Sequence, residues 1–273
     1  MSVRKEADLD PRGKTVIITG ASSGIGAAAA RALAAAGADV VLAARDQARL
    51  ETVARELPGR PLVVPTDVSD RAAVERLAAE TAAARGRIDI VVNNAGVGLA
   101  APVAELRADD LQRALAVDLL GPLWLTQAAL PHMRKSGRGQ LIFVSSVVGL
   151  RALPYLGGYA AAKAALDRLT ESLRVELRGS GVAVTLMRPG TTRTGFSERR
   201  LGSGRERRRM NARAATPERV AQAILRAAVR EPRVAYVSWA DRLTVLFSML
   251  APRLADWTLG RAFQWEGDQT NRR

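Results

Sequence analysis

Short β-branched runs alternate with alanine-rich stretches from residue 15 onward. Residues 15–19 (TVIIT), 39–43 (DVVLA), 61–66 (PLVVPT), 88–93 (IDIVVN), 140–145 (QLIFVS) and 182–187 (VAVTLM) are apolar almost throughout. Runs of that kind predict strands buried on both faces. Helical spacing fills 26–36, 47–57 and 72–84, and residues 233–238 (RVAYVS) read as a last strand. Strand–helix alternation predicts an α/β fold: a doubly wound parallel sheet of about seven strands with helices on both sides. The chain has no fixed-period repeat, no linker that splits it, and no apolar run long enough to span a bilayer.

Two segments break the alternation. Residues 195–215 (GFSERRLGSGRERRRMNARAA) are arginine-rich and poor in apolar side chains. Residues 239–263 carry Leu243, Leu246, Phe247, Leu250, Leu254 and Trp257 at helical spacing, interrupted at Pro252. The chain thus reads as one domain over 1–238, and an amphipathic extension of the same domain over 239–273. Three readings of that extension stay open. It packs on its own domain or a second subunit, it lies in a membrane interface helped by Trp239 and Trp257, or it walls a lipophilic pocket.

Composition narrows the chemistry. Of 273 residues, 48% are hydrophobic and 25% charged, which is globular. With no cysteine and His132 as the single histidine, thiolate metal sites and disulfides are excluded, and no metal is expected. The N-terminal MSVRKEADLDPRGK lacks an apolar core and is not a secretory signal, so a cytoplasmic location is expected. A net charge of +14 favours phosphorylated ligands, anionic membranes or polyanions. The arginine-rich segment has no interleaved aromatics and the chain has no nucleic-acid motif, so no nucleic-acid partner is expected.

The first strand runs directly into Thr19-Gly-Ala-Ser-Ser-Gly-Ile-Gly26, followed by a helix. Glycines allow the sharp turn and close backbone approach that a pyrophosphate needs, and the helix N-terminus offers N–H groups to the anion. This turn, Asn93-Asn-Ala-Gly96, the set Ser146…Tyr159-Ala-Ala-Ala-Lys163, and Pro189-Gly190 followed by Thr194 resemble, in order, the motifs of the short-chain dehydrogenase/reductase family. The resemblance covers roughly residues 12–195.

The family pattern implies hydride transfer between a nicotinamide and a carbonyl or alcohol, usually in a dimer or tetramer, by a catalytic domain over 1–238 whose substrate lid lies near 195–215. It implies that Gly20, Ser22, Ser23, Gly24, Ile25 and Gly26 hold the pyrophosphate. Asp67 and Val68 would meet the adenine, and Asn94, Ala95 and Gly96 the ribose side. Pro189, Gly190, Thr192 and Thr194 would hold the carboxamide. NAD sites usually place a carboxylate after the second strand. Here that strand ends Leu42-Ala43-Ala44-Arg45, and Arg45 suits a 2′-phosphate, so NADP(H) is preferred over NAD(H). The plainer reading of Arg45 is a strand cap paired with Asp46.

Lys163 lies one helical turn after Tyr159, where its charge favours tyrosinate over a phenol whose free pKa is about 10. By resemblance, Tyr159 is the acid/base, Lys163 tunes it and binds ribose, and Ser146 orients the substrate. The family commonly has Asn in a relay position where this chain has Asp118, in Val117-Asp118-Leu119-Leu120-Gly121. Two further classes therefore stay open: a catalytically impaired NADP(H)-binding protein, and a basic membrane- or nucleic-acid-binding module.

Overall fold

The structure, a computed structural model, describes residues 10–202, 206–208 and 214–265. The elements run β1 (Thr15–Thr19), α1 (Gly24–Ala35), β2 (Asp39–Ala44), α2 (Gln47–Arg55), β3 (Leu62–Pro65), α3 (Arg71–Arg85) and β4 (Ile90–Asn93). There follow α4 (Ala108–Leu115), α5 (Gly121–Ser136), β5 (Gly139–Val144), α6 (Gly157–Glu176) and β6 (Val182–Arg188). The chain continues with β7 (Glu206–Arg208), α7 (Pro217–Arg230), β8 (Val234–Tyr236), α8 (Trp239–Leu250), α9 (Pro252–Ala262) and β9 (Phe263–Trp265). Seven strands form one parallel sheet in the order β3-β2-β1-β4-β5-β6-β8. This is the doubly wound α/β sheet that the alternation predicts, with boundaries moved by one or two residues.

Each strand feeds two cores because side chains alternate across a sheet. Val16, Ile18, Val40, Leu42, Ile90, Val92 and Ile142 pack toward α1, α2 and α7. Ile17, Val41, Val91, Leu141 and Phe143 pack toward α3, α5 and α6. Asp46, Asp70, Thr216 and Ser238 cap α2, α3, α7 and α8 by accepting a backbone N–H, so those helix starts are set locally. Strand order reverses between β1 and β4, and the crevice at the carboxyl ends there is where open α/β sheets take ligands.

Three expectations need correction. The run 108–136 is one continuous helical stretch, long and apolar enough to cross a bilayer by length and composition. The sequence hides it because Asp109, Asp110 and Arg113 open it and Pro122 falls inside. It lies against the sheet, with Leu125, Ala129 and Met133 in the second core. In the C-terminal extension, the face bearing Leu243, Leu246, Phe247, Leu250, Leu254 and Trp257 is exposed rather than packed on its own domain. Only a narrow opposite face, with Val245, Ser248, Ala255 and Ala262, is buried. Finally, β7 lies inside the arginine-rich stretch and pairs antiparallel with β9, a link that apolar periodicity does not reveal. The remainder of that stretch (203–205, 209–213) and the termini 1–9 and 266–273 lie outside the described residues.

One buried charge staples the sheet to α6. Asp167 accepts from Arg188 Nε at 3.1 Å and Nη2 at 2.8 Å, and from Ser145 Oγ at 2.5 Å. Both charged partners are buried. Removing one partner of a buried pair leaves the other uncompensated, at a cost of about 3–5 kcal/mol. Asp167→Ala is therefore expected to lower the urea midpoint by that amount of stability with an unchanged m-value.

Candidate active site

The carboxyl edge collects every chemistry-bearing segment: the turn after β1, Arg45 after β2, Asp67 after β3, residues 94–96 after β4, Ser146 after β5, and Pro189–Thr194 after β6. Gly20 and Gly24 have φ of +68° and +54°, a left-handed backbone that glycine adopts without strain. At Gly26 a Cβ would stand 2.7 Å from Asn94 Nδ2 and closer still to the Gly20 carbonyl oxygen. Only glycine fits there. Thr19 fastens the edge: its Oγ1 accepts the N–H groups of Asn94 and Ala95, both at 3.0 Å, and its carbonyl accepts Asn94 Nδ2 at 2.8 Å. Asn94 thus braces the glycine turn besides lining it.

The N-terminus of α1 begins at Ser23, whose side chain makes no capping bond. The first N–H groups of a helix have no partner within it, so this edge is built to receive an anion. Arg45 stands exposed beyond β2. Asp46 caps α2 through Arg49 N at 3.1 Å and pairs with the Arg49 guanidinium at 3.2 Å. The Arg45–Asp46 pair of the plainer reading is not formed. Asp67 Oδ1 accepts Ser69 N at 3.0 Å and Ser69 Oγ at 2.7 Å, while the buried Val68 packs so closely on Gly121 that a Cβ there would stand 2.6 Å from its carbonyl oxygen. Thr192 Oγ1 donates to the Gly190 carbonyl at 3.2 Å, and the Thr194 methyl rests where a Gly24 Cβ would be 3.2 Å away.

Tyr159 and Lys163 share one face of α6, with Lys163 Nζ 5.8 Å from the Tyr159 ring centre. Ser146 stands near enough to Tyr159 to favour its ionised form, and its Oγ accepts Val148 N–H at 3.3 Å in the turn after β5. Lys163 Nζ donates to the Val144 carbonyl at 3.1 Å and lies 2.9 Å from Asp118 Oδ1. Asp118 comes from a π-helical turn, Ala116–Leu120, between α4 and α5. Its other oxygen accepts the Val97 N–H at 3.4 Å. Ser146, Tyr159, Lys163 and Asp118 are therefore brought into one cluster.

Electrostatics follow from burial. Burial pushes the Tyr159 hydroxyl up to about 12, against the Lys163 charge and the Ser146 hydrogen bond; the Asp118 charge pushes it further up. Burial also raises the Asp118 carboxyl, against Lys163 and the Val97 N–H. For Lys163, burial pulls down, but the Asp118 and Tyr159 charges together hold the ammonium above its ordinary value.

Two residues that motif reading misses complete the cluster. The Phe196 ring packs on Tyr159 with centres 5.7 Å apart. Arg199 Nε donates to the Gly195 carbonyl at 3.2 Å, and its Nη2 donates to Ser23 Oγ at 3.1 Å, laying a guanidinium on the glycine turn. Both lie in the 195–215 stretch that the sequence marks as arginine-rich and as a lid, in which neither residue stood out from its neighbours.

Known proteins match this arrangement. The short chain dehydrogenase family model matches residues 14–202. A "Dehydrogenase/reductase SDR family protein 7-like" from Drosophila melanogaster is 33% identical over 261 residues, covering 91% of this chain and 80% of that protein. A Thermococcus sibiricus alcohol dehydrogenase solved with 5-hydroxy-NADP is 32% identical with a TM-score of 0.71, covering 82% of this chain and 94% of that one. A Burkholderia phymatum short chain dehydrogenase/reductase solved with NAD is 27% identical with a TM-score of 0.82, covering 90% and 96%.

Gly26→Ala tests the turn. It is expected to weaken nicotinamide dinucleotide binding at least about tenfold, or 1.4 kcal/mol, in a fluorescence titration of a protein whose far-UV circular dichroism is unchanged.

Proposed function

The chain belongs to the short-chain dehydrogenase family of nicotinamide-dependent oxidoreductases, and on that premise we propose that it is an NADPH-preferring carbonyl reductase with Tyr159 as the acid. The observation that carries the reading is the Ser146–Tyr159–Lys163 cluster at the carboxyl edge, facing a glycine turn in which no larger residue fits. The turn and the N–H groups of α1 suit the pyrophosphate, and the carboxylate after β2, Asp46, is already taken up by the start of α2 and the Arg49 guanidinium. The bound nicotinamide supplies the hydride. Ser146 hydrogen-bonds the carbonyl oxygen and orients it toward the Tyr159 hydroxyl. As that oxygen gains negative charge, Tyr159 donates its proton, and the Lys163 ammonium stabilises the tyrosinate left behind. A phenol held near 12 is protonated at neutral pH, the state reduction requires.

Arg45 supports NADPH. It has no ion-pair partner among the described residues, and a planar, permanently charged fork suits a phosphate monoester. Arg199 adds a second cation, at the glycine turn. The segment beginning at Gly195 acts as a lid in this reading, with Phe196 against Tyr159 shielding the proton transfer from water. The catalytically impaired alternative would rest on Asp118. Its contact with Lys163 keeps the ammonium charged, which is compatible with the acid role.

Fluorescence titration separates the cofactors. NADPH should bind at least about tenfold more tightly than NADH, and Arg45→Ala should erase most of that difference. Equal binding of both by the wild type would overturn the preference and leave the oxidoreductase assignment standing. Tyr159→Phe should still bind NADPH but lose at least about a hundredfold in carbonyl reduction, the lower end of general-acid catalysis.

The pH profile tests Asp118. Alcohol oxidation needs the tyrosinate, so its rate rises with pH as Tyr159 ionises. The Asp118 charge raises the Tyr159 pKa, so Asp118→Asn should move that rise to lower pH while reduction near neutral pH is retained. A move to higher pH would show that Asp118 acts chiefly by keeping Lys163 charged.

A further inference from the structure

Among the described residues, eight of the eleven exposed large hydrophobic side chains lie on α8 and α9. They form one surface, not scattered points. On α8, Val245 and Ser248 are buried, and Trp239, Leu243, Phe247 and Leu250 project from the opposite side. Trp239 and Leu250 are 76% and 77% exposed, more than three-quarters uncovered. On α9, Ala255 and Ala262 are buried while Leu254 and Trp257 face out. A patch of this size, rimmed by polar groups, marks an interaction surface.

Among the described residues of α8 and α9 the unpaired charges are of one sign. The two acids are engaged: Asp241, half-buried, takes the Ser238 hydroxyl at 2.9 Å and sits on Gly190, and Asp256, though exposed, pairs with Arg151. The arginines stay outward. Arg261 stacks over Trp257 at 3.8 Å, and Arg242 and Arg253 are exposed with no ion-pair partner among the described residues. An isologous contact with a second copy would set this face against itself and crowd arginines with no acid to meet them. Apolar and tryptophan side chains interleaved with unpaired arginines instead suit the headgroup boundary of an anionic bilayer, where the apolar face enters about 5–10 Å and the arginines meet lipid phosphates.

We infer that α8 and α9 dock the protein on anionic membrane surfaces, lying in the interface without spanning it. Because Asp241 of α8 rests on Gly190 at the carboxyl edge, docking sets that edge beside the lipid, where an apolar carbonyl compound would be concentrated. The docking surface stands on exposure and charge alone and is independent of the catalytic reading.

Flotation of the full-length protein with vesicles of phosphatidylcholine containing phosphatidylglycerol, against vesicles of phosphatidylcholine alone, tests it. The bound fraction should be high only on the anionic vesicles and fall at least about tenfold in Phe247→Ser/Leu250→Ser. Arg242→Glu/Arg253→Glu should lose the anionic preference. These side chains are exposed, so NADPH titration and the thermal midpoint should match wild type in both variants; this separates failure of docking from failure of the enzyme reading. No flotation by the wild type overturns the inference. So does a concentration-dependent dimer in sedimentation that Phe247→Ser/Leu250→Ser abolishes, since a second copy would then cover the face.

Discussion

The Lys163 ammonium is buried to 4% side-chain exposure beside an Asp118 carboxylate that is wholly enclosed, and the shape of the site follows from keeping those two charges together. Taking an ion out of water costs several kcal/mol even after relaxation, so each is tolerable only with its partner in place and its remaining hydrogen-bond capacity used. Lys163 meets this with the Val144 carbonyl; Asp118 Oδ2 takes the Val97 N–H, while its buried Oδ1 makes no hydrogen bond and has the Lys163 charge 2.9 Å away. Those contacts bind α6 to the end of β5, and the π-helical turn before α5 to the loop after β4. Gly96 is part of the same constraint, since a Cβ there would sit 2.7 Å from Asp118 Oδ1. The extra residue of the π turn re-aims Asp118 inward, a local irregularity of the kind that gathers at functional sites.

A second constraint runs through backbone closeness at the coenzyme edge. Gly26 can approach the Gly20 carbonyl only without a side chain, and that approach lets Asn94 reach the Thr19 carbonyl. Thr19 then ties β1 to the loop after β4, across the point where strand order reverses. From the other side, Thr194 leans on Gly24 and Arg199 on Ser23. The glycine turn is therefore touched by both halves of the sheet and by the segment whose Phe196 packs on Tyr159.

The sheet was legible because two-sided burial writes itself into strands as unbroken apolar runs, and the glycine turn because backbone crowding admits a single residue type. Tyr159, Lys163 and Ser146 were singled out by resemblance to an ordered set of motifs, and the fold brings them near one another. The partnership of Lys163 with Asp118 was readable only as a question, because 45 positions of chain separate them and a π turn decides where the carboxylate points. Phe196 and Arg199 left almost no trace: their roles arise from a loop folding back over Gly98, where an added Cβ would stand 3.0 Å from the Phe196 ring. Pairing of β7 with β9 was hidden for a related reason, since three-residue strands at a sheet edge carry too little pattern to register.

The C-terminal helices show what periodicity does and does not say. Apolar residues three and four apart establish that a helix has a greasy side; they do not say which way that side is turned. In α8 the side with the larger apolar side chains faces out, and attachment to the body falls to Val245 and Ser248. Two short helices broken at Pro252 leave eight large apolar side chains about half exposed or more, a contiguous patch of the kind that marks a contact surface. Asp241 and Asp256 are held by Ser238 and Arg151 while Arg242, Arg253 and Arg261 remain outside, so the same fold that leaves the apolar side open also leaves it positive. Area and charge thus select one partner chemistry together, and neither would do so alone: apolar area by itself suits a second protein chain, and positive charge by itself suits any polyanion.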